Sequence, residues 1–175
     1  YNIVINEFFY RASQSSDAPD YIELFNFGSE NIDLSGWSIT DTEDPFDGSF
    51  DGYIFGAGEY LLLANEDPFF NEEAEEFYTG EDIENSLFFD ISLGTGSDAI
   101  LLLDGSGNEV DLVEYSASGG WPVGNINRGH AVELSDPYSD NNDPGNWGSS
   151  EAEGTYMYNE DGESGIDFGT PSEQN

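Results

Sequence analysis

From Ile3 to Asp41, apolar and polar positions trade places at the short period of a half-buried strand, and the rest of the chain follows the lead of that stretch. Tyr1 to Tyr10 (YNIVINEFFY) is β-branched and aromatic, with Ile3 and Ile5 on one face and Val4 and Asn6 on the other, and predicts a first strand. Arg11 to Pro19 is small and polar, a loop. Tyr21-Ile22-Glu23-Leu24-Phe25-Asn26 alternates again and predicts a second strand over 20–27. Gly28-Ser29-Glu30-Asn31 is a turn signal, after which Leu34, Trp37 and Ile39 mark a third strand over 34–41. The second and third strands are expected as neighbours around which the domain is built, with Trp37 as the central core aromatic.

Further along, Tyr53 to Phe55 and Tyr60 to Ala64 predict short strands. One helical piece follows: Asp67 suits an N-cap, Pro68 the first helical position, and Phe69, Phe70, Ala74, Phe77 and Tyr78 supply an apolar face beside Glu72, Glu73, Glu75 and Glu76. The clearest hairpin is Asp98 to Leu103 and Glu109 to Tyr115, flanking the turn Asp104-Gly105-Ser106-Gly107-Asn108. Leu87 to Leu93 and Arg128 to Leu134 are the remaining strand-like runs, the latter expected as the last core strand. Ser149 to Phe168 reads as an extra ribbon or arm. No repeat or linker divides the chain, so residues 1–175 are expected to form a single all-β domain with one short helix near Pro68 to Phe77.

The wording of the first strands carries a resemblance. Ile5-Asn6-Glu7, then Asp20-Tyr21-Ile22-Glu23-Leu24-Phe25-Asn26, then Ile32-Asp33-Leu34-Ser35-Gly36-Trp37-Ser38-Ile39-Thr40-Asp41 is similar to the lamin-tail domain family. The close Gly169-Thr170-Pro171-Ser172-Glu173-Gln174-Asn175 resembles the family's usual ending, with Ser172 where glycine is usual. The resemblance implies an immunoglobulin-like β-sandwich of the kind found in nuclear lamins and bacterial secreted proteins. In the latter the domain is often joined to a separate secreted hydrolase, and no such catalytic region is present here.

Charge alters the picture more than composition does. Asp and Glu number 38 against Arg11 and Arg128, with no lysine, for a formal net charge of −36. Self-repulsion at this level opposes compaction in dilute buffer, and roughly molar salt relieves it by shortening the Debye length to about 3 Å. High salt or abundant divalent cation would each make the composition tolerable. Phosphate-rich partners are repelled, which argues against nucleic acid and anionic membrane surfaces. Without cysteine there are no disulfides, zinc–thiolate sites or thiol nucleophiles. No apolar run of about 18 residues and no basic leader occurs, and the chain starts on a strand, as expected of a mature secreted form at the cell surface.

Two loops concentrate carboxylates. The first, 41–52, holds Asp41, Glu43, Asp44, Asp47 and Asp51; the second, 136–148, holds Asp136, Asp140 and Asp143 with Asn141 and Asn142. Both resemble oxygen-rich loops that wrap Ca²⁺ yet miss the EF-hand register, so cation site and solvated turn both stay open. His130, the single histidine, lies on an expected strand interior, and no Ser or Thr is marked as its nucleophilic partner. Two non-enzymatic readings remain. One is an extracellular structural or adhesive module that self-associates or binds other cell-surface proteins through strand pairing, with Tyr1, Ile3, Val4 and Ile5 as its edge. The other is a Ca²⁺-assisted module for a ligand such as polysaccharide, stacked on Trp121, Trp147, Tyr156 or Tyr158.

Overall fold

The computed structural model describes residues 1–13, 19–41, 45–64, 85–123, 128–151, 153–158 and 164–170. The alternating and β-branched runs become strands β1 (Ile3–Phe9), β2 (Tyr21–Asn26), β3 (Ile32–Asp33), β4 (Ser38–Thr40), β5 (Asp47–Gly48), β6 (Ile54–Phe55), β7 (Tyr60–Ala64), β8 (Ser86–Asp90), β9 (Ser97–Leu103), β10 (Glu109–Ser116), β11 (Val132–Leu134), β12 (Trp147–Ser149), β13 (Glu153–Tyr158) and β14 (Ser164–Phe168). A seven-stranded sheet has the order β12-β11-β1-β2-β7-β8-β5, and a three-stranded sheet the order β10-β9-β4. The inner faces of these two sheets meet in one core containing Ile5, Phe8, Ile22, Leu24, Leu61 and Leu63 from the larger and Ile39, Ile100, Leu102, Val113 and Tyr115 from the smaller. At its middle the Phe8 ring stacks on Tyr115 at 4.8 Å and meets Trp147 edge-on at 5.5 Å. The fold is thus the expected all-β, immunoglobulin-like sandwich. The expected helix near Pro68 to Phe77 lies outside the described residues.

The hairpin forms as the sequence indicates, with Leu101 facing Leu112 and Ile100 facing Val113. Its turn is organised by Asp104, whose Oδ1 accepts the backbone N–H of Ser106 at 2.8 Å and of Asn108 at 2.9 Å, while Gly107 takes a φ of +78°. The expected pairing of the second and third strands does not occur. β2 pairs with β1 and β7, whereas β4 pairs with β9 in the opposite sheet. Asn26 explains the separation: its fully buried amide donates to the carbonyls of Glu30, Phe55 and Gly56 and accepts Gly28 N–H, which holds the chain in a wide turn. The expected third strand accordingly starts late; Ile32–Asp33 pairs separately with β6 before the chain crosses over. Trp37 is buried in this core, edge-on to Tyr1 at 4.7 Å, while Phe8, Tyr10 and Tyr115 form a ring cluster of their own.

The first strand is also not an edge. β1 is flanked by β2 along its length and by β11 at Glu7 and Phe8, and the Ile5 N–H donates to Asp111 Oδ2 at 2.7 Å. Ile3, Val4 and Ile5 are buried, so these side chains build the core of their own sandwich; Tyr1 alone of the four proposed assembly residues is exposed. The open side of β10 is capped at one place. The Asn142 side chain takes Glu114 N–H on its Oδ1 and donates Nδ2 to Leu112 O, as a neighbouring strand would.

The C-terminal third departs most from expectation. The strand foreseen over 128–134 is only Val132–Leu134, because Gly129 has a φ of +81° and His130 makes an isolated parallel bridge with Phe168. Trp147–Ser149, at the end of the second acidic loop, adds a strand outside β11. β13 and β14 pair as an antiparallel ribbon, joined to the sandwich through Phe168, whose N–H donates to Gly129 O and whose carbonyl accepts Ala131 N–H, both at 2.8 Å.

Candidate functional site

The acidic loops come first, since sequence pointed to them. In the second loop each carboxylate closes its own turn: Asp136 Oδ1 accepts Tyr138 N–H at 3.0 Å, Asp140 Oδ1 accepts Asn142 N–H at 3.0 Å, and Asp143 Oδ1 accepts Gly145 N–H at 2.9 Å. These are local Asx turns, each bonding two residues ahead. The loop docks through its amides instead. Asn141 Nδ2 reaches both oxygens of Asp111, at 2.8 and 2.7 Å, and its carbonyl accepts the Trp147 indole N–H at 2.9 Å. In the first loop Asp51 accepts Gly36 N–H, Asp47 faces Asp90 across β5 and β8, and Asp41 is half-buried; Glu43 and Asp44 lie outside the described residues. Among the described residues no three His, Cys, Asp or Glu side chains gather as a metal-holding group. The carboxylates of Asp136, Asp140 and Asp143 each turn back on the local backbone, so a Ca²⁺ site in this loop is carried forward only as an expectation.

Of the four proposed aromatic platforms, the side chains of Tyr156 and Tyr158 lie outside the described residues. Trp121 and Trp147 are buried, 5.8 Å apart, within the core. Besides the exposed rings of Tyr1 and Phe88, a row of rings on other elements runs from half-buried positions to the exposed Tyr138. Tyr60 stacks on Phe25 at 4.3 Å, Phe25 lies 6.5 Å from Phe27, and Phe27 meets Tyr138 edge-on at 5.0 Å. Tyr60 and Phe25 are direct cross-strand partners on β7 and β2, and the second acidic loop brings Tyr138 against Phe27 with 78% of its surface exposed. His130 is held by its ring Nδ1 on Ser150 O at 2.7 Å and stacks on Phe168 at 4.4 Å, so its visible contacts anchor the ribbon.

What sequence did not single out is a layer of buried carboxyls on the outer face of the large sheet. The β1 bulge between Ile5 and Glu7 swaps the faces, so Phe8 points inward while Glu7 and Phe9 point outward. Register then sets Glu133, Glu7 and Glu23 side by side across β11, β1 and β2. Glu7 and Glu23 are fully buried, beside the small apolar cluster Phe9, Tyr21, Leu62, Ala64 and Ala131. Glu7 accepts the Tyr21 hydroxyl and the N–H and hydroxyl of Thr170; Glu23 accepts Asn6 Nδ2 at 2.9 Å. Burial pushes the Glu7 carboxyl up to about 7, with Glu133 adding to the rise and the Tyr21 and Thr170 donors opposing it. At one end of the sandwich, burial raises Asp20 to about 6 even though it accepts Leu93 N–H at 2.7 Å. Asp111 is also raised, by burial first. A signal for the outer layer was present: Ile5-Asn6-Glu7 and Tyr21-Ile22-Glu23 place a lone charge inside otherwise apolar strands.

Two apolar inner faces sealed by strand pairing, with turns tied by Asn and Asp side chains, define a β-sandwich domain of immunoglobulin type. Within that class, the sequence model of the Lamin Tail Domain matches residues 1–117, and the chain belongs to this family. The match ends just after β10, so β11 and β12, which complete the large sheet, lie beyond it. Comparison with curated proteins gives no match.

Proposed function

We propose that this domain is a non-catalytic extracellular structural or adhesive module, and that copies of it associate through apolar contacts where salt or Ca²⁺ supplies countercharge. The observation that carries the reading is the row Tyr60, Phe25, Phe27 and Tyr138, an uncharged strip ending in a ring 78% exposed on a chain of net charge −36. Exposed contiguous apolar surface on a soluble domain marks a place of contact. The first strand is not the edge foreseen for pairing, since β1 has β2 and β11 beside it, and Asn142 satisfies two backbone groups of β10. A second copy can approach only when repulsion is screened, which fits a cell surface bathed in high salt or divalent cation better than a dilute interior.

Light scattering on the purified chain tests the proposal. Association should appear at roughly molar salt, or with added Ca²⁺, and vanish in Phe27→Ser/Tyr138→Ser with circular dichroism unchanged. A full-length chain that stays monomeric at high protein concentration in both media would overturn it. Retention of that monomer on an insoluble polysaccharide would favour the ligand-binding reading instead.

A further inference from the structure

The aromatic row and the two arginines of this chain lie at opposite ends of the same strands. Register places Ile3 beside Asn26 and Phe9 beside Tyr21, so Phe25 and Phe27 stand where β1 begins and Arg11 stands just past its end. Tyr138 meets Phe27 at the first end, and the exposed Asp136 and Asp140 flank it in the chain. At the second end the arginine segments come together: Gly129 N–H donates to Arg11 O at 2.9 Å, and Arg128 Nε donates to Ala12 O at 2.9 Å. The sequence has no other Arg and no Lys, so this side-chain charge is gathered at one pole of a chain with 38 Asp and Glu. Val4, the partner of Phe25, and Arg11 are separated along the strand direction by roughly 20 Å at the rise of a β-strand.

We propose that copies of this chain join head to tail, the arginine pole of one against the aromatic pole of the next; this rests on the association through the row and adds its direction. Two rows meeting face to face would bring Asp136 and Asp140 of both copies together, like charge against like, which costs affinity. The arginine pole offers the same row a cation instead. A guanidinium stacks on a tyrosine ring and forks onto a carboxylate, and Tyr138 with its flanking aspartates presents both kinds of group. Arg128 is exposed, and its bond to Ala12 O holds the side chain at the pole. Salt separates the two parts of the energy: repulsion between whole chains acts at long range and is screened, while a contact pair shut off from water is screened much less. Because the two joined surfaces differ, each added copy leaves one pole of each kind open. Such contacts build an open chain of copies unless a rotation closes them into a ring.

Two variants of the full chain, each damaged at one pole, test the direction: Arg11→Gln/Arg128→Gln and Phe27→Ser/Tyr138→Ser. Sedimentation velocity at high salt reads the assembly, and circular dichroism checks the fold of each variant. The unaltered chain should pass beyond the dimer as its concentration rises. Each variant alone should need at least about tenfold more protein to associate. Mixed in equal amounts, the two should form heterodimers and stop there, since one sound contact remains and both outer poles are spent. An arginine variant that associates as readily as the unaltered chain overturns the head-to-tail geometry while leaving association through the row intact. An unaltered chain that stops at the dimer, or a mixture that forms no heterodimer, does the same. An unaltered chain that stays monomeric overturns both.

Discussion

The two faces of the seven-stranded sheet are built from the same strands on opposite principles. The inner face is apolar and aromatic, and its residues gain by leaving water whatever the pH. The outer face carries Glu7 and Glu23 fully buried and Glu133 half-buried, held by hydroxyl, amide and backbone donors. Its stability depends on how many protons it carries. The contrast teaches that the acidity of this chain is not only a matter of solvent-facing charge; part of it has been folded into the structure.

The largest expected effect lies on the inner face. Phe8→Ala should lower unfolding stability by about 3–5 kcal/mol, because it opens a cavity between Tyr115 and Trp147. Urea titration at high salt measures it, and a loss under 1 kcal/mol would mean that the core has its centre elsewhere.

On the outer face the corresponding experiment is a pH series. Glu7 binds its proton more tightly folded, at about 7, than its ordinary value of 4.5. Its contribution is therefore full below 4.5 and fades as pH rises to about 7, a difference of about 3 kcal/mol. Asp20, raised to about 6, acts in the same sense. Stability at fixed salt should fall from mildly acidic toward neutral pH, opposite to a protein held by ionised carboxylates, and Glu7→Gln should flatten the curve. A wild-type profile that rises over this interval would count against the buried layer.

Asp111 joins the two faces of the argument, since it is a buried carboxyl that serves β1 through Ile5 N–H and the second acidic loop through Asn141. Asp111→Ala should cost about 1–3 kcal/mol by leaving these donors unpaired, with partial recovery in Asp111→Asn. The smallest effects belong to the exposed loop carboxylates. Asp136→Asn and Asp140→Asn should each shift stability by less than about 0.5 kcal/mol. Melting curves in CaCl₂ and NaCl of equal ionic strength should then coincide; a specific rise with Ca²⁺ that either substitution removes would restore a cation site to the loop.

The inner face was legible from the chain because alternation reports which positions avoid water. Ile22, Leu24, Ile100 and Leu102 follow from period alone, and the β9–β10 hairpin from its Asp-Gly turn. Three things were not legible. Unbroken alternation would put Glu7 on the inner face with Ile3 and Ile5; the bulge after Ile5 inverts parity and turns it outward. The crossing from β2 to β4 depends on Asn26, whose three carbonyl partners include two near position 55. β11 was foreseen, but over a longer span, while the three-residue β12 that pairs outside it is too short to stand out. As for the candidate sites, the acidic loops were found by counting carboxylates, which says nothing of whether they converge. The aromatic row crosses from β2 and β7 to the loop at Tyr138, a neighbourhood invisible to any sequence window.

The bond between Thr170 and Glu7 spans 163 positions, and β1 finds its second neighbour only in β11. During synthesis, then, the apolar strand β1 must wait until β11 has been made before its sheet can close, and such long-range pairing is slow. An unfinished sheet edge of that kind invites nascent chains to join one another. A dense negative charge on every growing chain keeps neighbours apart during that interval, so the composition that burdens the finished fold also guards its assembly.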